Sequence, residues 1–480
     1  MRFGRTARLV AARLVAALLT CGVLAGAAAC SGSGGGESGS GTPSGPAASS
    51  TTSAEAPAPD DGARPAAAWP TYGRDFARSG VAAGVAAPGL LTVSWRARLD
   101  GAVYGQPLLV GHLVIAATEN DSVYGLDQAT GRVVWRRHVG TPVPLADLPC
   151  GDIDPLGITG TPVYDQASGV VYAVAETTGY RHVLVGVSVR DGSLLLTRDI
   201  PTPDGQPRYD QQRPALTIEH GRVYVAFGGL YGDCGPYRGS VTGIPLGGAG
   251  PMISYVVPTP REGAIWGTAG PVTGTDGTLY VSAGNGEQTG TGYDGSDSVI
   301  ALSPGLHRTG VFAPSTWADD NAHDLDLGST QPALLPDGML LADGKRGVAY
   351  LVDSAHLGGV GGQVAQRAVC EAYGGAAVQG SVVYEPCAQG GPAAVSTAGH
   401  TIRVLWRGPA QAQGSPVIGG GRVWVTDYQG DTLYELDQAT GATTASLALG
   451  VALPHFSSMS MTGSHAFLGT MEGVVAVGGV

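Results

Sequence analysis

The densest group of reactive side chains in this chain is Asp319-Asp-Asn-Ala-His-Asp-Leu-Asp326, with four carboxylates, an amide and an imidazole in eight residues. Hard oxygen donors of this kind suit Ca²⁺ or a lanthanide, and a free Asp can accept a proton. The spacing does not match an EF-hand loop. Asp and Asn also stabilise turns by bonding to nearby backbone, so the expectation here is a solvated turn capping a strand, without metal. Other chemistries lack their motifs. There is no GxSxG, no HExxH, and Gly344-Lys345-Arg346 lacks the Ser or Thr that completes a phosphate-binding loop. The ten His are scattered singly and read as surface or turn residues, and Glu176 sits near a turn with no evident partner.

Six cysteines remain to be placed. Cys21 and Cys30 lie in the first thirty residues; Cys150, Cys234, Cys370 and Cys387 follow as an even set. No CxxC or Cys/His spacing suits zinc. Four cysteines allow three connectivities. Cys370–Cys387 closes a short loop within one hairpin region, which leaves Cys150–Cys234 between neighbouring units, as structural disulfides.

The elements that must position these residues are short strands. The chain has 480 residues, 78 of them Gly and 32 Pro, with only 14% charged. Helices do not tolerate so much interior Gly, and 43% hydrophobic residues exclude a disordered chain. An all-β fold with many tight turns is what remains. Net charge is −12, and −16 once Arg2, Arg5, Arg8 and Arg13 are set aside. Such a surface repels phosphate backbones, so no nucleic-acid partner is expected. Lys345 is the only lysine, read as a bias of codon usage.

Residues 1–29 read as an export signal: an Arg-rich start, then an apolar stretch, Leu14 to Ala29, too short for a membrane span. Leu24-Ala-Gly-Ala-Ala-Ala-Cys30 resembles a bacterial lipobox, which implies lipidation at Cys30 and a place on the outer face of the cytoplasmic membrane. Residues 30–68, rich in Ser, Gly, Thr, Pro and Ala, form the tether. The globular domain is 69–480.

That domain repeats itself. Asp121-Ser-Val-Tyr-Gly-Leu-Asp-Gln-Ala-Thr-Gly131 recurs as Asp431-Thr-Leu-Tyr-Glu-Leu-Asp-Gln-Ala-Thr-Gly441. Weaker copies follow Pro-led hairpin signals such as Ser415-Pro-Val-Ile-Gly-Gly-Gly-Arg-Val-Trp-Val425. Units beginning near 104, 158, 213, 266, 329, 373, 412 and 455 predict eight blades of four antiparallel strands, with seven as the alternative. The last unit is short, and Leu90–Leu99 is an orphan strand. Pairing them closes the ring and removes both open edges.

Leu126-Asp-Gln-Ala-Thr-Gly-Arg-Val-Val-Trp135 resembles the pyrroloquinoline-quinone (PQQ)-type propeller repeat, and Trp69-Pro-Thr-Tyr-Gly-Arg-Asp-Phe resembles the entry segment of such proteins. The resemblance implies that Gly131 and Gly441 turn the chain and that Trp135 docks one blade on the next. Trp95, Trp266, Trp317, Trp406 and Trp424 read as core fillers. Quinoprotein alcohol dehydrogenases place a metal beneath the quinone with a Glu, an Asn and a catalytic Asp. Ala283-Gly-Asn285-Gly resembles the Asn segment, and His323-Asp-Leu-Asp-Leu-Gly-Ser-Thr-Gln-Pro332 the Asp segment. The Glu position falls at or near Cys234, no adjacent cysteine pair is present, and Leu325 replaces an aromatic residue. The expectation is a monomeric, non-catalytic binding or scaffolding propeller without cofactor, facing a protein or envelope component. The alternative is a PQQ-dependent alcohol or sugar dehydrogenase, with Asp324 as base and Asn285, Asp324 and Asp326 on Ca²⁺ or a lanthanide.

Overall fold

A computed structural model describes residues 67–290 and 292–480. The signal segment, Cys30 and residues 30–66 of the tether lie outside the described residues. Eight small antiparallel sheets succeed one another along the chain, so the count is eight and not seven. Blades 1 to 7 each open on an inner strand, the first two being Leu108–Val110 and Val163–Asp165 and the last Val417–Gly419. Each then runs outward through three more strands. Burial follows that direction: Leu108–Val110 is wholly buried, and Val133–His138 at the outer edge of the same blade is largely exposed.

Blade 8 takes Met459–Thr462, His465–Thr470 and Gly473–Gly478 from the end of the chain. Its outermost strand is Thr92–Arg98, antiparallel to Gly473–Gly478. The orphan strand and the short last unit therefore complete each other. Some blades carry a fifth strand beyond the expected four: Ala67–Trp69 joins blade 1, Val81–Ala82 blade 7, and Gly359–Val360 blade 4. The ring thus takes in two residues read as tether, Ala67 and Ala68. Apolar clusters fill the gaps between neighbouring sheets, such as Ile115, Val123 and Leu108 against Val171, Val183 and Val185 of blade 2.

The exact repeat shows how a turn is encoded. In both copies the Asp side chain accepts from the Thr backbone N–H and hydroxyl three residues on, Asp127 with Thr130 and Asp437 with Thr440. Gly131 and Gly441 then donate back to the Asp carbonyls with φ of 70° and 72°. The indole of Trp135 lies on Gly192 of blade 2, and its Nε1 donates to the Val189 carbonyl at 3.0 Å. Trp95 and Trp406, read as core fillers, take the same role. Trp95 covers Gly131 and bonds Gln128 O at 2.9 Å; Trp406 covers Gly441 and bonds Gln438 O at 3.0 Å. Trp424 is a fully buried filler, as expected.

Residues 69–82 cross one end of the ring. Carbonyls of Pro70, Phe76, Ser79 and Gly80 accept from Tyr164, Thr273, Val378 and Ile418, on or beside the inner strands of blades 2, 4, 6 and 7. Arg78 reaches Leu216 O before blade 3 at 3.0 Å. A segment bonded to so many inner strands must lie across the axis, and it closes that end of the channel. The four cysteines pair as Cys150–Cys234 and Cys370–Cys387.

Candidate functional site

Beyond that crossing segment the channel widens into a cavity of about 640 Å³. Its walls come from the segments that enter each blade or turn at its end. Trp266 precedes blade 4, Tyr373 blade 6, and His455-Phe456 blade 8; Arg213 leads into blade 3. Tyr373 and Phe456 stack with ring centres 5.6 Å apart, and Trp266 lies 6.2 Å from each. Arg213 and Phe456 separate the cavity from a small void floored by Tyr72 of the crossing segment. The site is an aromatic-walled cup whose lining also carries charged groups from several blades.

Besides Asp152, Arg213, Asp233 and Glu262, one polar cluster of the lining comes from three turns. Asn285 follows strand Leu279–Ala283 of blade 4. Asp324 and Asp326 follow a short helix, Trp317–His323, where a solvated turn was expected. Asp324 ends that helix in the left-handed region, φ 57°. Arg346 pairs with Asp319 and with buried Asp320 of the helix, which anchors its direction. Lys345 sits in the hairpin turn of blade 5, its backbone N–H donating to Asp326 O at 2.9 Å.

The structure brings Asn285, Asp324 and Asp326 together and adds Lys345 to them. Lys345 Nζ is 2.5 Å from Asp324 Oδ1 and 2.8 Å from Asp326 Oδ2, and 5.4 Å from the centre of the Trp266 ring. Asn285 Nδ2 donates to the same Asp324 oxygen at 2.7 Å. Burial works to lower the Lys345 ammonium, but the Asp326 and Asp324 carboxylates outweigh it and hold it above its usual value. Asp326 is buried; its Oδ1 and the Oδ1 of Asn285 have no hydrogen-bond partner.

The donors present do not fit a metal held by Glu, Asn and Asp. Cys234, at or near the expected Glu position, is bonded to Cys150. Neighbouring Asp233 instead accepts from Tyr237 Oη at 2.5 Å. The place between the two carboxylates is taken by Lys345, and among the described residues no three His, Cys, Asp or Glu are grouped to hold a metal.

Sequence reasoning missed Lys345, Trp266, Tyr373, Phe456 and Arg213. Four unit starts, 213, 266, 373 and 455, are cavity positions, so the repeat boundaries carried a usable signal. Glu176 and His182 also depart from expectation. Both are buried, and Glu176 Oε1 accepts from Gln212 N at 2.5 Å, with His182 Nε2 3.5 Å from its other oxygen.

A family model described as PQQ_2, outer membrane protein assembly factor BamB, matches residues 86–232. No curated protein matches. Among solved structures, BamB from Moraxella catarrhalis is similar at 16% identity and TM-score 0.56, covering 81% of this chain and 97% of that one. The quinohemoprotein alcohol dehydrogenase of Comamonas testosteroni has 15% identity and TM-score 0.62, with 85% and 80% covered. A europium-containing methanol dehydrogenase has 14% identity and TM-score 0.62, with 86% and 98% covered. At these identities the structural likeness is one of fold. Residues 86–232 carry the match to the PQQ-like family model, and the chain as a whole folds as an eight-bladed β-propeller.

Proposed function

We propose that this chain is an extracytoplasmic, envelope-associated propeller that binds or scaffolds without catalysis, tethered through Cys30 to the outer face of the cytoplasmic membrane. The observation that carries this reading is the Cys150–Cys234 disulfide, at or near the position where the resemblance would put a quinoprotein dehydrogenase's Glu. A sulfur in a disulfide does not ligate a hard cation, so the machinery that activates a quinone lacks a member. The base expected of the alternative is also engaged, since Asp324 Oδ1 already accepts from Lys345 and Asn285. Two disulfides fit an oxidising compartment. The family description of an outer membrane assembly factor supports an envelope role.

The alternative, a PQQ-dependent dehydrogenase, is favoured by one observation: Asn285, Asp324 and Asp326 do converge on a single cavity. The purified chain mixed with PQQ and Ca²⁺ or La³⁺, then followed by melting and by dye reduction with alcohols and sugars, separates the two. No melting shift and no turnover is the expected result. Dye reduction that disappears in Asp324→Ala would establish the enzyme. For the anchor, globomycin-sensitive processing and loss of membrane retention in Cys30→Ala are expected; unchanged retention would rule out lipidation there.

A further inference from the structure

We infer that the rim of the ring where blades 8, 1 and 2 begin their outer strands rests on a lipid bilayer, which turns the aromatic cup away from the membrane.

Strand direction fixes which residues share this rim. Inner strands start at the cup and run away from it, and the strands that follow alternate, so each outer strand starts at the far end of the ring. In blades 8, 1 and 2 those starts are aliphatic. Leu90, just before Thr92–Arg98, is 85% exposed; Val133 and Val134 of blade 1 and Leu194 and Leu195 of blade 2 are 41–58% exposed. Among the described residues ten large hydrophobic side chains are exposed, and these five fall on three consecutive blades. They are also linked in space. Trp95 of blade 8 covers Gly131, two residues before Val133, and Trp135, next to Val134, covers Gly192, two residues before Leu194.

The exact repeat supplies an internal control. Arg132-Val133-Val134 follows Gly131 on blade 1, and Ala442-Thr443-Thr444 follows Gly441 on blade 7. The Asp–Thr turn, the glycine φ and the covering indole are the same in both, and Thr443 and Thr444 are exposed too. Neither the turn nor the strand therefore needs an apolar side chain at this place. Water penalises such side chains in proportion to their area, yet three neighbouring blades carry them.

The occupant follows from what the rim contains and where it lies. Its exposed apolar groups are Leu and Val alone, residues poorly represented among the anchors of protein interfaces; hydrocarbon accepts them without matching their shape. Arg132, exposed beside Val133, suits a lipid phosphate, while Asp127 and Asp191 of the neighbouring turns already accept from Thr130 and Ser193. Ala67, the first described residue, pairs with Val110 at the far end of the inner strand of blade 1. The residues before it, Cys30 among them, thus join the ring at the end away from the cup, on the middle blade of the three. The choice of a bilayer as the apolar surface rests on the tether proposed above.

The test places a tryptophan at the rim and reads its quenching by lipid. The purified full chain is mixed with phosphatidylcholine–phosphatidylglycerol vesicles whose acyl chains carry bromine. Leu195→Trp and Val134→Trp are expected to lose about half of the added emission, as an indole seated about 5–10 Å into the boundary of headgroups and acyl chains should. Thr444→Trp, the equivalent place on blade 7, is expected to lose none, and the native tryptophans are common to all three variants. Adding Val133→Thr, Val134→Thr and Leu194→Thr to Leu195→Trp should cut the quenching about 3-fold or more, with melting unchanged because blade 7 forms with Thr at the first two places. No quenching at either rim position, or equal quenching at Thr444→Trp, overturns the assignment. So does an unquenched rim that holds a dimer instead, dissolved by the same Thr substitutions, which would give the surface to a second copy. Membrane retention that depends on Cys30, with the rim unquenched, keeps the anchor and refutes the contact. Quenching that persists in Cys30→Ala keeps the contact and shows that it does not need the lipid.

Discussion

Gly131 and Gly441 meet two demands that few residues meet together. Each lies in the left-handed region, and each leaves room for an indole: a Cβ on Gly131 would lie 2.5 Å from the Trp95 ring. Gly131→Ala is therefore expected to cost about 2–4 kcal/mol, from backbone strain plus displacement of Trp95. Trp95→Ala relieves the second term only, so the double variant should be less destabilised than the sum by about 1–2 kcal/mol in denaturant melts. Additive effects would mean the indole does not press on the turn. Lys345 sets a second residue-scale expectation. Lys345→Gln leaves Asp326 buried and unpaired, for a loss of about 3–5 kcal/mol at neutral pH. The loss should shrink at pH 4, where protonation removes the unpaired charge. The Asp-x-x-Thr-Gly turn was legible because its chemistry is local and the copies are identical. The Lys345 contact was not, because it joins turns of two different blades, 21 residues from Asp324 and 19 from Asp326, with no motif to mark it.

At the scale of elements, the disulfides do unequal work. Cys150–Cys234 spans 84 residues and ties the connection after blade 1 to a loop of blade 3 beside the cavity; Cys370–Cys387 spans 17 within blades 5 and 6. Chain-entropy reasoning puts their removal at about 4–5 and about 3 kcal/mol. Replacing the first pair by Ala should also loosen the cavity wall formed by Leu230, Asp233 and Tyr237, seen as faster hydrogen exchange there than in the second pair's variant. Equal losses with unchanged exchange would contradict this. Both pairings were legible from spacing. The helix Trp317–His323 was not. Its Asp-rich sequence has the local signature of a turn, and what makes it helical is tertiary: Trp317 is buried against Tyr293, and Asp320 is buried on Arg346. Trp95 and Trp406 were misread for a similar reason. Their blades lack the adjoining repeat, so only the neighbouring blade reveals what each indole covers.

Across the whole molecule, burial leaves several carboxyls with strongly raised affinity for protons. Burial first, and then neighbouring acids, push Glu119 and Asp121 up to about 8 and Asp210 up to about 9. Burial also pushes up Glu385, which shares its surroundings with buried Asp343. Each keeps a proton in the folded chain over a range where the unfolded chain, ionising near pH 4, has lost it. Their contribution is therefore greatest at acidic pH and declines as pH rises from about 4 through 8 and 9. The melting temperature should fall by several degrees between pH 5 and pH 9, and Asp210→Asn should flatten that slope. A melting temperature that rises over the same interval would refute the assignment. Architecture and blade count were legible because they rest on periodic turns, whereas these carboxyls carry no periodic sign.

The strand Thr92–Arg98 in blade 8 has a further consequence in time. It precedes its partner Gly473–Gly478 by most of the ring's length and has no neighbour in its sheet until that segment is made. Until then, the first and last blades present open edges that invite other chains. A chain cut short anywhere before residue 473 never finds its seal. Closure of the ring thus requires both segments at once, and a copy truncated before residue 473 is expected to expose an unpaired strand edge and to be cleaved faster in limited proteolysis than the closed ring.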